Sequence, residues 1–285
     1  MTPIALHPNT KKQFDQFAHS PTHAILVTGT DGIGKLAVAR HLAAQIVGIN
    51  FNKLDTYQYF YLVQPEKQSI GIDSIREVGH FLQNKTIGTG IIRRAVIVED
   101  AHLMTIEAQN AFLKSLEEPP LDTLLILTAS QPQLLLHTIT SRVQTLNVHV
   151  PPRSALEDSF KDNPGFNRAY RLSGGLPGLT CALLADDQSH PLYQAVTQAK
   201  ELLQAPAFKR LTLIDAISKD KQQASHILDA LERIAQTGLE QAATKQQEQA
   251  IKRWQRLLEV LIDTRHSSDK NANTKLAFTH LLLQI

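Results

Sequence analysis

Gly29-Thr30-Asp31-Gly32-Ile33-Gly34-Lys35-Leu36 is the stretch on which the fold turns. Its first seven residues fit the Walker A pattern, in which backbone N–H groups and a helix N-terminus cradle phosphates and the lysine reaches the β and γ oxygens. The flanking residues agree. Ala24-Ile25-Leu26-Val27-Thr28 is a short apolar, β-prone run of the kind buried in a parallel sheet. Beyond Lys35, Val38, Leu42, Gln45 and Ile46 recur at helical spacing until Gly48 stops them. The eighth position departs from the pattern: Leu36 stands where a Ser or Thr hydroxyl would hold Mg²⁺, and leucine ligates nothing. Descent from a phosphate loop and present occupancy are therefore separate matters. Gly29, Gly32, Gly34, Lys35 and Leu36 form a degenerate nucleotide site, able to hold ATP or ADP without hydrolysis or to hold nothing.

Further strands and helices alternate outward from the loop. Asn9 and Thr10 are candidate caps for a helix carrying Phe14 and Phe17, which Ser20-Pro21 breaks. Tyr59 to Val63 reads as a weaker strand, followed by a helix capped by Asp73 with Ile75, Val78 and Leu82 on one face. Ala95-Val96-Ile97-Val98 and Leu124-Leu125-Ile126-Leu127-Thr128 are buried strands, separated by a helix from Thr105 to Glu118 that Pro119-Pro120 ends. Val143 to Val150 reads as another strand. Such alternation implies a parallel sheet with right-handed crossovers. Pro151-Pro152 is the best boundary signal, because two prolines disallow helix and disfavour ladder pairing where the α/β pattern stops. Residues 153–187 read as a small helical unit around Ser173-Gly174-Gly175-Leu176-Pro177-Gly178. From residue 188 the chain is helix after helix, with apolar faces such as Ile227, Leu228, Leu231, Ile234 and Ala235, then Ile251, Trp254, Leu257, Leu258 and Leu261. The expected division is an α/β domain over 1–150, a helical lid over 151–187 and a helical domain over 188–285.

Bulk composition narrows the function classes. At 285 residues, 42% hydrophobic and 20% charged, the chain is an ordinary globular protein of two or three domains. A net charge of +2, with no basic or acidic tail, neither demands nor excludes nucleic acid. One cysteine, Cys181, leaves no disulfide framework or multi-cysteine metal site, and it reads as a small buried side chain. The twelve histidines show no metal-ligand spacing. No apolar run is long enough to span a bilayer, and Met1 to His7 lacks the features of a signal peptide, so a cytoplasmic location is expected.

Val96-Ile97-Val98-Glu99-Asp100 is an apolar strand ending in two carboxylates, an arrangement that can set one acid near Mg²⁺ and another near an attacking water. The usual order is Asp then Glu. Here it is reversed, so both carboxylates would miss their targets by about an ångström. The pair is either a vestigial catalytic couple or two capping acids at a strand end.

Asn110-Ala111-Phe112-Leu113-Lys114-Ser115-Leu116-Glu117-Glu118-Pro119-Pro120 is the most distinctive stretch, followed by Leu127-Thr128-Ala129-Ser130 and by Thr138-Ile139-Thr140-Ser141-Arg142. Together these resemble the clamp-loader branch of the AAA+ ATPases, whose members carry a helix close to NALLKTLEEPP, a sensor 1 residue ending the next strand, and an SRC motif. Other stretches look like the bacterial DNA polymerase III subunits: His23-Ala24, Ser69-Ile70 leading to Ile75-Arg76-Glu77, and Asn271 to Leu276 before Leu281-Leu282-Leu283. Within that branch the departures resemble the delta-prime family more than the gamma/tau motors. Family members often carry a four-cysteine zinc module after the phosphate-loop helix, but Gly48 to Asp55 holds no cysteine, so no zinc is expected. A sensor 2 arginine would lie near Leu176-Pro177-Gly178, where Arg171 is the nearest substitute.

The resemblance implies a scaffold or stator in a hetero-pentameric ring with gamma/tau and delta-like subunits, acting on primer-template DNA and a sliding clamp through the complex. Its C-terminal helices would be the oligomerising collar. It also implies that Arg142 projects into a neighbour's site and stabilises charge on the transferring phosphoryl group in trans, the plainer reading being a surface arginine in a weak salt bridge. Val143 replaces the motif's cysteine. The competing reading is an active gamma/tau-like ATPase, with Glu99 and Asp100 on Mg²⁺ and water and with Lys35 and Ser130 or Thr128 at the γ-phosphate. A free-standing DNA-binding ATPase is disfavoured by the near-neutral charge and the lack of a basic or aromatic stripe. Leu113 and Leu116 read as core, and Lys114 as equally a solvated or a functional residue.

Overall fold

The computed structural model describes residues 4–66, 68–88, 90–160, 163–218, 220–269 and 274–284. Asn271 to Asn273, part of the C-terminal family-like stretch, lie outside them. The chain divides into two compact units, Met1–Ser159 and Phe160–Ile285.

The first unit is a sheet of five parallel strands in the order β2-β3-β4-β1-β5: β1 (Ala24–Thr28), β2 (Phe60–Val63), β3 (Arg94–Val98), β4 (Thr123–Ala129) and β5 (Gln144–Asn147). β1, β3 and β4 are buried along their whole length, which is why they read as unbroken apolar runs rather than alternating ones. One face, with Leu26, Val96, Val98, Leu125 and Leu127, packs against α3 (Ile72–Gln83) and α4 (Ile106–Glu117). α2 (Lys35–Val47) packs on β1, β3 and β4, and α1 (Pro8–His19) contacts β5 and α2. The sheet register pairs Ala24 with Leu125, Ile25 with Gln144 and Val98 with Leu127. The carboxyl ends of β1, β3 and β4 therefore come together at one edge of the unit, where open parallel sheets place their binding crevices.

Several local expectations are corrected. α1 is capped by His7, whose Nδ1 accepts from the Asn9 N–H at 3.1 Å, because Pro8 takes the first helical position. Thr10 instead sits fully buried, its hydroxyl donating to the Asn147 carbonyl at 3.0 Å and accepting from the His149 N–H at 3.0 Å. Gly71, not Asp73, caps α3; Asp73 lies in the first turn and pairs with Arg76. Gln45 points outward, and Ala39, Ala43 and Ala44 line the buried face of α2 instead. The last strand is shorter than read, ending at Asn147. A short helix not foreseen, α5 (His137–Thr140), precedes it.

Two buried polar side chains bind the elements together. Arg94, 2% exposed, donates from Nη1 to the Phe81 carbonyl at 2.9 Å and from Nη2 to the Asn84 carbonyl, tying β3 to the end of α3. Gln109, fully buried in α4, accepts from the Leu136 N–H at 2.7 Å and donates to the carbonyls of Met104 and Leu134, both at 3.2 Å. It ties the loop after β3 to the loop after β4. Gln109→Leu keeps the volume but leaves these groups unsatisfied, so a loss of about 1–3 kcal/mol is expected in urea unfolding. An unchanged midpoint would refute this role for Gln109.

The 151–187 segment divides between the units: α6 (Arg153–Ser159) goes with the first, α7 (Phe166–Ser173) and α8 (Pro177–Leu184) with the second. The second unit continues with α9 (Pro191–Gln204), α10 (Ala207–Ile217), α11 (Lys221–Thr244), α12 (Glu248–Asp269) and α13 (Thr274–Gln284). α11 is its axis, packing on α7, α9 and α12, while α13 packs on α10 and α12. α11 and α12 approach closely because Gly238 has no side chain; a Cβ there would overlap the Trp254 indole. Among the described residues no helix is long and apolar enough to cross a membrane.

Candidate functional site

The phosphate loop leaves the end of β1 and turns into α2. Gly29 needs its missing side chain, since a Cβ would lie 2.9 Å from the Val148 carbonyl oxygen. Gly34, at φ 92°, caps α2 in the left-handed region that glycine enters without strain. Lys35 is folded back into the loop and only 8% exposed. Its Nζ donates to the Thr30 carbonyl at 3.3 Å and to Asp31 Oδ1 at 3.1 Å. Leu36 follows, half-buried, as the second residue of α2.

Glu99 and Asp100 follow the end of β3. Gln64 Nε2 donates to Glu99 Oε2 at 2.8 Å. Burial pushes the Glu99 carboxyl above the ordinary carboxylate range, with the Gln64 hydrogen bond opposing it and the Asp100 charge adding to it. Asp100 sits at φ 45°, ψ 51°, an uncommon backbone state for a residue with a side chain. Its N–H donates to Thr128 Oγ1 at 2.9 Å, which helps to hold that turn. Thr128 is thus engaged with the backbone of the acidic turn, and Ser130 Oγ lies 3.1 Å from His102 Nε2. His102 is 7% exposed, and its Nδ1 has no hydrogen-bond partner. Burial lowers its pKa, while the Asp100 and Asp31 charges oppose the shift and Lys35 adds to it.

Arg142 belongs to the opposite end of the sheet. It precedes β5, whose Gln144 is level with Ile25 near the start of β1, whereas the phosphate loop follows the end of β1. Four to five strand residues at about 3.3 Å each separate the two ends by roughly 15 Å. Arg142 Nη1 donates to the Thr138 carbonyl at 2.9 Å, and Nη2 pairs with Glu117 Oε1 at 2.9 Å. The side chain remains 37% exposed.

Known proteins share this arrangement of sheet and loop. Residues 7–152 match the family described as DNA polymerase III, delta subunit. The chain belongs to that family. Among its relatives, DNA polymerase III subunit delta' of Pseudomonas aeruginosa is 33% identical over 204 residues, covering 64% of this chain and 61% of that one. Subunit delta' of Escherichia coli is 31% identical over 186 residues, covering 58% and 55%. The chain thus spans about three-fifths of the length of these relatives. A DNA polymerase III gamma subunit-related protein from Thermotoga maritima has the same fold, at TM-score 0.51, 22% identity, and 96% and 97% coverage. The expected architecture, an α/β domain with a parallel sheet followed by helical regions, is the one observed.

The delta-family fold gathers Gly29, Gly32, Gly34, Lys35, Leu36, Glu99, Asp100, Thr128 and Ser130 at one end of the sheet and leaves Arg142 at the other. Arg171 lies in the second unit, on α7, where its carbonyl accepts from Thr237 Oγ1 at 3.2 Å. Lys114 is solvent-exposed, Leu116 is buried, and Leu113 packs at the edge of the core. Cys181, expected inside, is on the exposed side of α8. A divalent metal does not fit the residues present. Leu36 offers it carbon, Glu99 is engaged by Gln64, and among the described residues no three His, Cys, Asp or Glu side chains could hold an ion together. A nucleotide's phosphates do fit the glycine loop, subject to the Lys35–Asp31 pair.

Asp31, Gln64, His102 and Glu117 are the site residues that sequence reasoning missed. Asp31 carried a signal, a negative charge inside a loop built for anions. The other three become relevant only through contacts with residues far away in sequence.

Proposed function

We propose that this chain is a delta-prime-like subunit of the DNA polymerase III clamp loader, a cytoplasmic stator in a hetero-pentameric ring with gamma/tau-like and delta-like subunits. It supports ATP-driven loading of the sliding clamp onto primer-template DNA, lends Arg142 to a neighbour's ATPase site, and does not turn over ATP itself. The observation that carries this reading is the position of Arg142 at the end of the sheet away from the phosphate loop. From there it cannot serve its own loop, but it is partly exposed and can reach another subunit. Three features of the chain's own site add support: Leu36 at the metal position, Lys35 paired with Asp31, and Glu99 engaged by Gln64. In the second unit, Phe208 on α10 and Leu276 and Leu283 on α13 are exposed on two helices that pack together, as suits a surface for subunit assembly.

ATP turnover by the purified chain tests the reading, with Lys35→Ala as the control. No turnover is expected from either protein. Steady hydrolysis that disappears in Lys35→Ala would instead establish a gamma/tau-like motor.

A further inference from the structure

The anion cradle at the end of β1 is intact in its backbone. Gly32 and Gly34 hold φ 79° and 92°, and Gly29 passes close against the Val148 carbonyl. α2 begins at Gly34, which has no side chain to cap it, and carries no acidic residue in its first turn. The charge inside the loop is what differs. Lys35, which would reach a phosphate, is buried against Asp31 Oδ1 at 3.1 Å. Beside this pair lies His102, more than nine-tenths buried, with an unpartnered Nδ1, its Nε2 on Ser130 and its ring in the field of both Asp31 and Lys35. A buried nitrogen without a partner is uncommon in a finished core and suits a site whose polar complement arrives from outside.

We propose that Asp31 is a built-in anion that occupies the phosphate lysine, and that the loop behind it is a working cradle for a metal-free nucleoside diphosphate. The proposal rests on the reading of this chain as a subunit without turnover of its own. The loop's N–H groups and the α2 N-terminus match two phosphates, and Lys35 completes the set once it leaves Asp31. A third phosphate with its metal has no such support, because Leu36 cannot ligate and Glu99 is engaged by Gln64. The Asp31 carboxylate opposes a phosphate by holding Lys35 away from it. Affinity is therefore set by one side chain within an otherwise competent loop.

Titration calorimetry of the full chain with ADP in EDTA tests this. Asp31→Asn keeps the shape and removes the charge, and is expected to bind ADP about tenfold more tightly than the unaltered chain, or better. Adding Lys35→Ala to Asp31→Asn should erase the gain, and Mg²⁺ should add nothing for ADP or ATP. Asp31→Ala should show the same gain and serves if Asp31→Asn folds poorly, with circular dichroism as the fold control. Folded Asp31 variants that bind no more tightly than the unaltered chain would overturn the proposal, as would a gain that survives Lys35→Ala. Lys35-dependent ATP turnover by the unaltered chain is a different outcome: it defeats the subunit reading, while the ADP titrations still report on Asp31.

Discussion

In a complex reassembled from this chain and the gamma/tau-like motor subunits proposed as its partners, Arg142→Ala is expected to slow ATP turnover at the adjoining site by about a thousandfold, the scale of an arginine supplied in trans. The whole-complex rate should fall by that site's share. The altered chain should fold and assemble as before, since the guanidinium's ion pair within the chain is with Glu117, and the two side chains are 37% and 51% exposed. Exposed pairs of this kind contribute about 0–1 kcal/mol. In the turn that carries Arg142 the variant loses the exposed guanidinium hydrogen bond to the Thr138 carbonyl but keeps the backbone one, from the Arg142 N–H to the Ile139 carbonyl at 2.9 Å. Arg142→Lys should recover little, as lysine keeps the charge but lacks the planar fork that matches phosphate oxygens. Glu117→Ala separates the two roles of the arginine: it frees Arg142 without removing it, so turnover should hold or rise. Unchanged turnover in the Arg142→Ala complex would leave Arg142 as a surface residue and remove the main support for the stator reading.

The second large effect concerns the most distinctive stretch of the sequence. Phe112→Ala should destabilise the first unit by about 3–5 kcal/mol, read as a shift in its urea or thermal midpoint. Phe112 is fully buried in the core that α3 and α4 build against the sheet, together with Val78, Val98, Leu116 and Leu127. Truncation there removes an aromatic ring from a region that can collapse little, because β3 and β4 behind it are held in a parallel ladder. Lys114, on the exposed side of the same helix, should tolerate alanine with a change within about 0.5 kcal/mol. A small loss at Phe112 would mean that α4 is held chiefly by Gln109 and the helix ends. Within the motif that suggests the family, Phe112 and Leu116 are thus packing residues, whereas Asn110, Lys114, Glu117 and Glu118 face solvent.

Much of the first unit was legible from local pattern. β1, β3 and β4 show as apolar runs because both faces are covered, Thr105 shows as a cap because its hydroxyl accepts from the Ala108 N–H, and Gly48 shows as a stop because the chain turns left-handed there. These features depend on neighbours within a few residues, so spacing encodes them. The phosphate loop and its defect at Leu36 belong to the same class.

Tertiary structure alone decided the rest. Nothing in the spacing says that β1 lies between β4 and β5, yet that order puts Arg142 at one end of the sheet and Lys35 at the other. The sequence leaves the partner of Lys35 open, and only the folded loop shows that Asp31 takes it. The contacts of Gln64 with Glu99, His102 with Ser130 and Glu117 with Arg142 join residues 25 or more positions apart. Periodicity reports which face of an element is buried; which polar groups then meet is set by sheet order and register, through contacts between segments that no local pattern links.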